Sequence, residues 1–180
     1  MKKNLIQKFG KKGFTLVEIM IVVAIIGLLA AIAIPNLLRA RMNSNDGAIQ
    51  SDLKTFSTAV ESYRAAQNPP TYPATLPLLT TPAAGQPPYL DTTWSVLTVA
   101  NPKHGHTLTY SPAAAVLGRI NAYLIIAERR ANESSNAYCI DQSGVLRVDV
   151  NEASYDGESF AAGTYGCGAG AAGEGQPVGQ

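Results

Sequence analysis

The sequence predicts an α+β fold in which one long N-terminal helix packs on an antiparallel β-sheet, the helix being transmembrane in its first half and amphipathic in its second. Three observations predict it. Residues 14–34 form an apolar run whose single charge is Glu18. Ile49, Leu53, Phe56, Val60 and Tyr63 then recur at steps of four and three, the stripe of a helix laid on a core. From Trp94 onward, short β-branched and aromatic stretches alternate with turn residues, as strands do. Helix on sheet is one of the few layer arrangements that buries both apolar faces.

The apolar run comes first. Its 21 residues, at about 1.5 Å each, span roughly 31 Å, the hydrocarbon thickness of a bilayer. Lys2, Lys3, Lys8, Lys11 and Lys12 precede it with no acidic residue among them. The positive-inside rule therefore keeps residues 1–13 in the cytoplasm and sends everything after Pro35 across the membrane. A cleaved secretory signal competes with this reading, but its apolar run is about 7–15 residues and a small-x-small site follows it. Here the run is longer and Gly13 precedes it, so the segment should stay on the mature protein. Glu18 costs about 2.5–3.5 kcal/mol in such a helix on insertion scales. Either it stays hydrated near the interface or another chain delivers a cation to it. Cleavage after Gly13 would create one, the α-amino group of Phe14.

The residues Lys12-Gly13-Phe14-Thr15-Leu16-Val17-Glu18-Ile19 resemble the class III prepilin signal of type IV pilins and type II secretion pseudopilins. The resemblance covers about residues 9–66, and beyond that only the general layout agrees. It implies cleavage between Gly13 and Phe14 by prepilin peptidase, a membrane aspartic protease that then N-methylates Phe14. It implies that Glu18 pairs with the Phe14 amine of a neighbouring subunit during filament assembly. Gly27 and Pro35 match the helix-weakening positions of that family. Physically, Pro35 removes an amide donor and Gly27 lacks a stiffening side chain; both mark places to kink or stretch, or both are tolerated, as in many membrane helices. Ala24, Gly27, Ala30 and Ala31 equally offer close-approach positions for helix packing.

From Asn36 to Ala66 the chain reads as a continuation of the same helix, with Asp52, Lys54, Glu61 and Arg64 largely off the apolar stripe. Arg39 and Arg41 fall at the outer membrane face, as interfacial charges or in a salt bridge between subunits. Residues 43–47, Asn-Ser-Asn-Asp-Gly, weaken the helix without ending it, whereas Asn68-Pro69-Pro70 ends it. Tyr72 to Asp91 reads as an extended surface connector held by Leu76, Leu78 and Leu79. Strands are predicted at 94–100, 107–111, 122–127, 137–141 and 145–150, with Gln142-Ser143-Gly144 as a tight hairpin turn. The domains follow: a basic leader (1–13), an assembly helix (14–35), the amphipathic helix (36–68), connector and sheet (69–165), and a flexible Gly/Ala-rich tail (166–180). The pilin fold has this layout.

Cys139 and Cys167 are the two cysteines. In an oxidising periplasm they suit a disulfide, which would contribute about 3–4 kcal/mol by constraining the unfolded chain; free thiols and metal ligation are the alternatives. The pair also resembles the C-terminal disulfide loop of many type IV pilins.

Of the 14 basic residues five lie in the leader, leaving nine against 13 acidic ones, so the remainder is about −4 formally. That balance argues against general binding of nucleic acid or anionic lipid. No catalytic constellation is visible, and no cofactor or metal is predicted. Lys103, His104 and His106 read as a solvated turn rather than a metal pair. Asp149, Glu152, Asp156 and Glu158 fit no EF-hand spacing, and Asn132-Glu133-Ser134 is a weak glycosylation match. Not an enzyme, then. The resemblance implies a structural subunit of a type IV pilus that serves adhesion and motility. It would polymerise with itself, with prepilin peptidase and an inner-membrane assembly machine as partners. It would span the bacterial inner membrane once, with its head periplasmic, before entering an extracellular filament. A type II secretion pseudopilin is the alternative, and a minor pilin or anchored binding domain for adhesion or DNA uptake a third.

Overall fold

The computed structural model of the chain describes residues 13–82, 85–96, 101–130, 133–134, 136–149, 167 and 176–177. The leader before Gly13, Asn132, the acidic residues Glu152, Asp156 and Glu158, and the tail apart from Cys167, Gln176 and Pro177 lie outside the described residues. The chain divides into two compact units, Met1–Leu38 and Arg39–Gln180. One helix, α1 (Leu16–Ala66), contributes to both and contains Pro35.

In the first unit, α1 opens at Leu16 directly after Thr15. From Gly13 to Leu38 only Ala30 is even half-buried. A β-carbon placed on Gly13 or Gly27 would meet nothing within 4 Å, so neither glycine is demanded by packing inside this chain.

The second unit is built on the amphipathic part of α1. Ile49, Leu53, Phe56 and Val60 are fully buried and Tyr63 partly so, because steps of three and four keep one helix face on the core. Asp46 and Ser57 share that face. The polar run of residues 43–47 is therefore a docking patch as well as a weak helical stretch. Asn45 Nδ2 donates to the Glu133 carbonyl at 2.6 Å, and Gln50 Nε2 donates to the Tyr138 hydroxyl at 3.1 Å.

The connector departs from the predicted extended form. Pro77–Thr80 make a single helical turn, α2, with proline at the start where its missing N–H costs nothing. Successive side chains on a helix diverge by about 100°. Leu79 is accordingly buried, and its carbonyl accepts the Tyr89 and Leu90 amides at 2.9 and 3.1 Å. Leu78 is the more exposed of the two, at 37%. The strand predicted from Trp94 is instead a 3-10 turn over Thr92–Val96, and 97–100 lie outside the described residues. Asp91 accepts the Thr93 amide at 2.8 Å, a side-chain bond that starts a helical turn in place of a ladder.

The sheet is a sequential antiparallel meander: β1 (His106–Pro112), β2 (Tyr123–Arg129), β3 (Ala137–Asp141), β4 (Leu146–Asp149) and β5 (Gln176–Pro177). His106 faces Arg129 and Pro112 faces Tyr123 between β1 and β2. Two residues of the tail, Gln176 and Pro177, pair with Val148 and Arg147.

Two reverse turns have the same construction. Lys103 and His106 exchange both backbone hydrogen bonds at 2.9 Å, with positive φ at His104 and Gly105 (50° and 72°). Val116 and Arg119 exchange theirs at 2.8 and 3.0 Å, with positive φ at Leu117 and Gly118 (52° and 76°). Paired positive φ defines the type I′ turn, whose twist matches the strands it joins. At Gly105 a β-carbon would also come within 2.8 Å of the Glu133 Cβ, so glycine is required there twice over.

The core centres on Phe56. Its ring stacks on Trp94 at 5.2 Å and meets Tyr110 and Tyr123 edge-on at 5.7 and 6.2 Å, geometries that add to plain area burial. The Tyr123 hydroxyl is satisfied by Ser57 Oγ at 3.1 Å. Cys139 and Cys167 form a disulfide with Cα atoms 5.9 Å apart, buried with Leu124. Asp141, also buried, accepts the Ser143 amide on one carboxylate oxygen and the Cys167 amide on the other, each at 2.8 Å. The Gly144 amide donates to the Asp141 carbonyl at 2.9 Å, at a φ of 71°, closing the β3–β4 turn.

Candidate processing and assembly site

Gly13, Phe14 and Thr15 directly precede α1, and Glu18 lies on its first turn. The Thr15 amide and hydroxyl both donate to Glu18 Oε2, at 2.8 and 2.7 Å. The Glu18 amide returns a bond to Thr15 Oγ1 at 3.2 Å. This reciprocal pair is a capping box: it satisfies amides that the first turn of any helix leaves without a partner. It also sets the acidic side chain at the positive end of the helix dipole.

The carboxylate therefore has polar partners within its own chain, without a second chain being present. The Thr-x-x-Glu spacing is the sequence signature of this box, and it lies here at the head of an apolar run. Phe14, immediately before the box, is 84% exposed, and the backbone at Gly13 is unobstructed.

The remaining singled-out residues lie elsewhere. Gly27 and Pro35 sit further along α1, which runs through both without interruption. The disulfide belongs to the second unit. Arg39 is exposed and Arg41 likewise. His106 is not in a solvated turn, as the sequence suggested. Its ring is fully buried at the start of β1, with its nitrogens 2.9 Å from the His104 and Asn136 carbonyl oxygens and Asp46 at 3.7 Å. His104 is half-exposed and pairs with Asp52 at 3.3 Å, beside Lys103 at 3.2 Å. Among the described residues no group of three or more His, Cys, Asp or Glu could hold a metal ion.

The helix that follows the box is long and apolar enough to cross a membrane, and none of its most apolar stretch is buried. The family described as the prokaryotic N-terminal methylation motif matches residues 8–34. This chain therefore carries a prokaryotic N-terminal methylation motif at the start of its apolar helix.

Similarity to individual proteins extends over 52 to 69 residues. The type IV major pilin protein PilA of Myxococcus xanthus is 52% identical over 52 residues, 29% of this chain and 24% of that one. The type IV wide pilus major component PilA4 of Thermus thermophilus is 47% identical over 57 residues, 32% of this chain and 44% of that one. The type II secretion system core protein G of Aeromonas hydrophila is 35% identical over 69 residues, 38% and 47% respectively. The chain thus spans between a quarter and just under half of the length of these relatives. No solved structure matches it significantly.

Proposed function

We propose that this chain is a non-enzymatic structural subunit of a type IV pilus, without a cofactor. Prepilin peptidase would cut between Gly13 and Phe14 and N-methylate Phe14. The leader stays in the cytoplasm, residues 14–35 span the inner membrane and the head is periplasmic until an inner-membrane assembly machine draws the subunit into an extracellular filament. The observation that carries the reading is the unpartnered apolar surface of residues 14–38, headed by a carboxylate on the first helical turn. A single chain leaves that surface exposed, and a bundle of identical helices covers it. In the bundle Glu18 would exchange its Thr15 partners, in whole or part, for the Phe14 amine of the next subunit. That cation–carboxylate pair would neutralise a charge that hydrocarbon penalises. Gly27 and Pro35 would let the helix stretch or bend where copies crowd.

Intact mass of material sheared from cells, beside the washed membrane fraction, tests this. The expected species is disulfide-bonded, begins at Phe14, is one methyl heavier than its sequence and is abundant in the sheared fraction. An unprocessed Met1 terminus in both fractions, in a host with active prepilin peptidase, would refute the assignment.

A pseudopilin of a type II secretion system is the second reading, favoured by the similarity to core protein G. It predicts the same mature species held in the membrane fraction.

A further inference from the structure

The two type I′ turns differ at their first central residue. At 104 the residue is histidine, among the side chains enriched at positive φ, and its ring is held by Asp52 at 3.3 Å. At 117 it is leucine, a bulky residue for which positive φ is an outlier, and it is 97% exposed beside Val116 at 62%. Asparagine or glycine would suit this backbone better and would expose no apolar surface. Leucine thus carries both a conformational cost and a solvation cost that no contact among the described residues offsets. Strain of this kind points to a role outside the monomer.

The tip ends the loop between β1 and β2, whose two sides are joined where the Ala113 amide donates to the Ala122 carbonyl at 3.0 Å. The Tyr72 amide bonds the Ile120 carbonyl at 3.0 Å and the Ile120 amide bonds Thr71 Oγ1 at 2.9 Å. These bonds tie the loop to the connector.

A groove on the same chain could receive the tip. It is about 540 Å³ and opens between Ala74, Leu76 and Pro77 on one side and Leu108, Tyr110 and Pro112 of β1 on the other; three threonines and one serine also line it, and none of its described lining residues is charged. With Leu117 97% exposed, the knob does not occupy its own groove. A knob and a socket that belong to one chain and do not meet within it are the ingredients of a heterologous contact, which propagates from copy to copy.

We propose that the Val116–Leu117 tip of one copy seats in the groove beside β1 of a second copy. The proposal takes its setting from the filament reading above, in which heads of identical chains are held side by side, and it adds the residues through which the heads meet.

Disulfide trapping on the full-length chain in membranes tests the contact without requiring a filament. Leu117→Cys chains are co-expressed with Ala74→Cys chains, or with chains substituted at an exposed helical control, Thr55→Cys. Covalent dimer is expected with the groove position and not with the control; equal or absent trapping at both overturns the proposal. Sheared filament yield is read in parallel. Leu117→Gly relieves the backbone, so the thermal midpoint of the head should hold or rise while the yield falls by about tenfold or more, the worth of one buried leucine contact. A yield that stays at wild type, or falls only with head stability, counts against the contact. If wild type makes no filament yet traps at Ala74→Cys, the contact stands and the filament reading falls.

Discussion

The two units of this molecule treat the same kinds of side chain in opposite ways. Between Gly13 and Leu38, Ile19, Ile25, Leu29 and Ile34 are at least half-exposed, and the helix is held by its own backbone and the Thr15–Glu18 box. In the second unit, Ile49, Leu53, Phe56 and Val60 are wholly enclosed by the sheet and connector. Burial of apolar area is the main favourable term in folding. The head therefore carries its own stabilisation, whereas the apolar surface of the first unit acquires its free energy only from lipid or from other copies. Substitutions in the first unit should register in assembly and leave the head's melting unchanged; those in the second should do the reverse.

The largest expected separation is at Glu18. Glu18→Ala should abolish filaments while the protein remains inserted and the head melts at the wild-type temperature; normal sheared yield would refute the pairing. Phe56→Ala, at the centre of the aromatic cluster, should cost about 3–5 kcal/mol in denaturant unfolding of the head. A loss below about 1 kcal/mol there would mean that the cluster is not the head's centre of stability.

Gly105→Ala should cost upwards of about 1 kcal/mol, since it forces a side chain into left-handed backbone and against Glu133. Pro87→Ala, at an exposed position of the connector, should by contrast be near neutral by the same melting assay.

The smallest effect is alkaline. Burial pushes the Tyr123 phenol up to about 12, opposed in part by its bond to Ser57, and burial also raises Tyr110 and Tyr72. A phenol titrates near 10 in the unfolded chain. Above that value the unfolded state releases its protons first, so head stability is full below about pH 10 and declines as pH rises towards 12. Tyr123→Phe should make the decline shallower in a pH series of unfolding curves.

Much of the head was legible because its signals are periodic. The stripe from Ile49 to Tyr63 needed only the helical repeat, and the Val145–Asp149 alternation with Gly144 before it needed only the strand repeat and one turn residue. What escaped was decided by single polar contacts. Trp94 looked like a strand residue until Asp91 turned the chain into a 3-10 helix. Asn45 and Asp46 looked like a weak point in α1, yet Asn45 bonds the Glu133 carbonyl and Asp46 meets Asn136 and His106. His106 itself carries no periodic mark that distinguishes a buried ring from a solvated one. At the candidate site the residues were readable as a motif, and the capping box was readable as a spacing. That one carboxylate serves the helix start in the single chain follows only from atomic positions.

The disulfide has a consequence for how the molecule would survive damage. Cys139 lies in β3 and Cys167 beyond the β4 segment, with the Cys167 amide fastened to Asp141. A peptidase that cleaved any bond between those cysteines would leave two polypeptides in one covalent body. β5 would remain tethered to the sheet it joins. On a gel the nick would appear only after reduction, so a cleaved chain would keep its C-terminal end instead of shedding it.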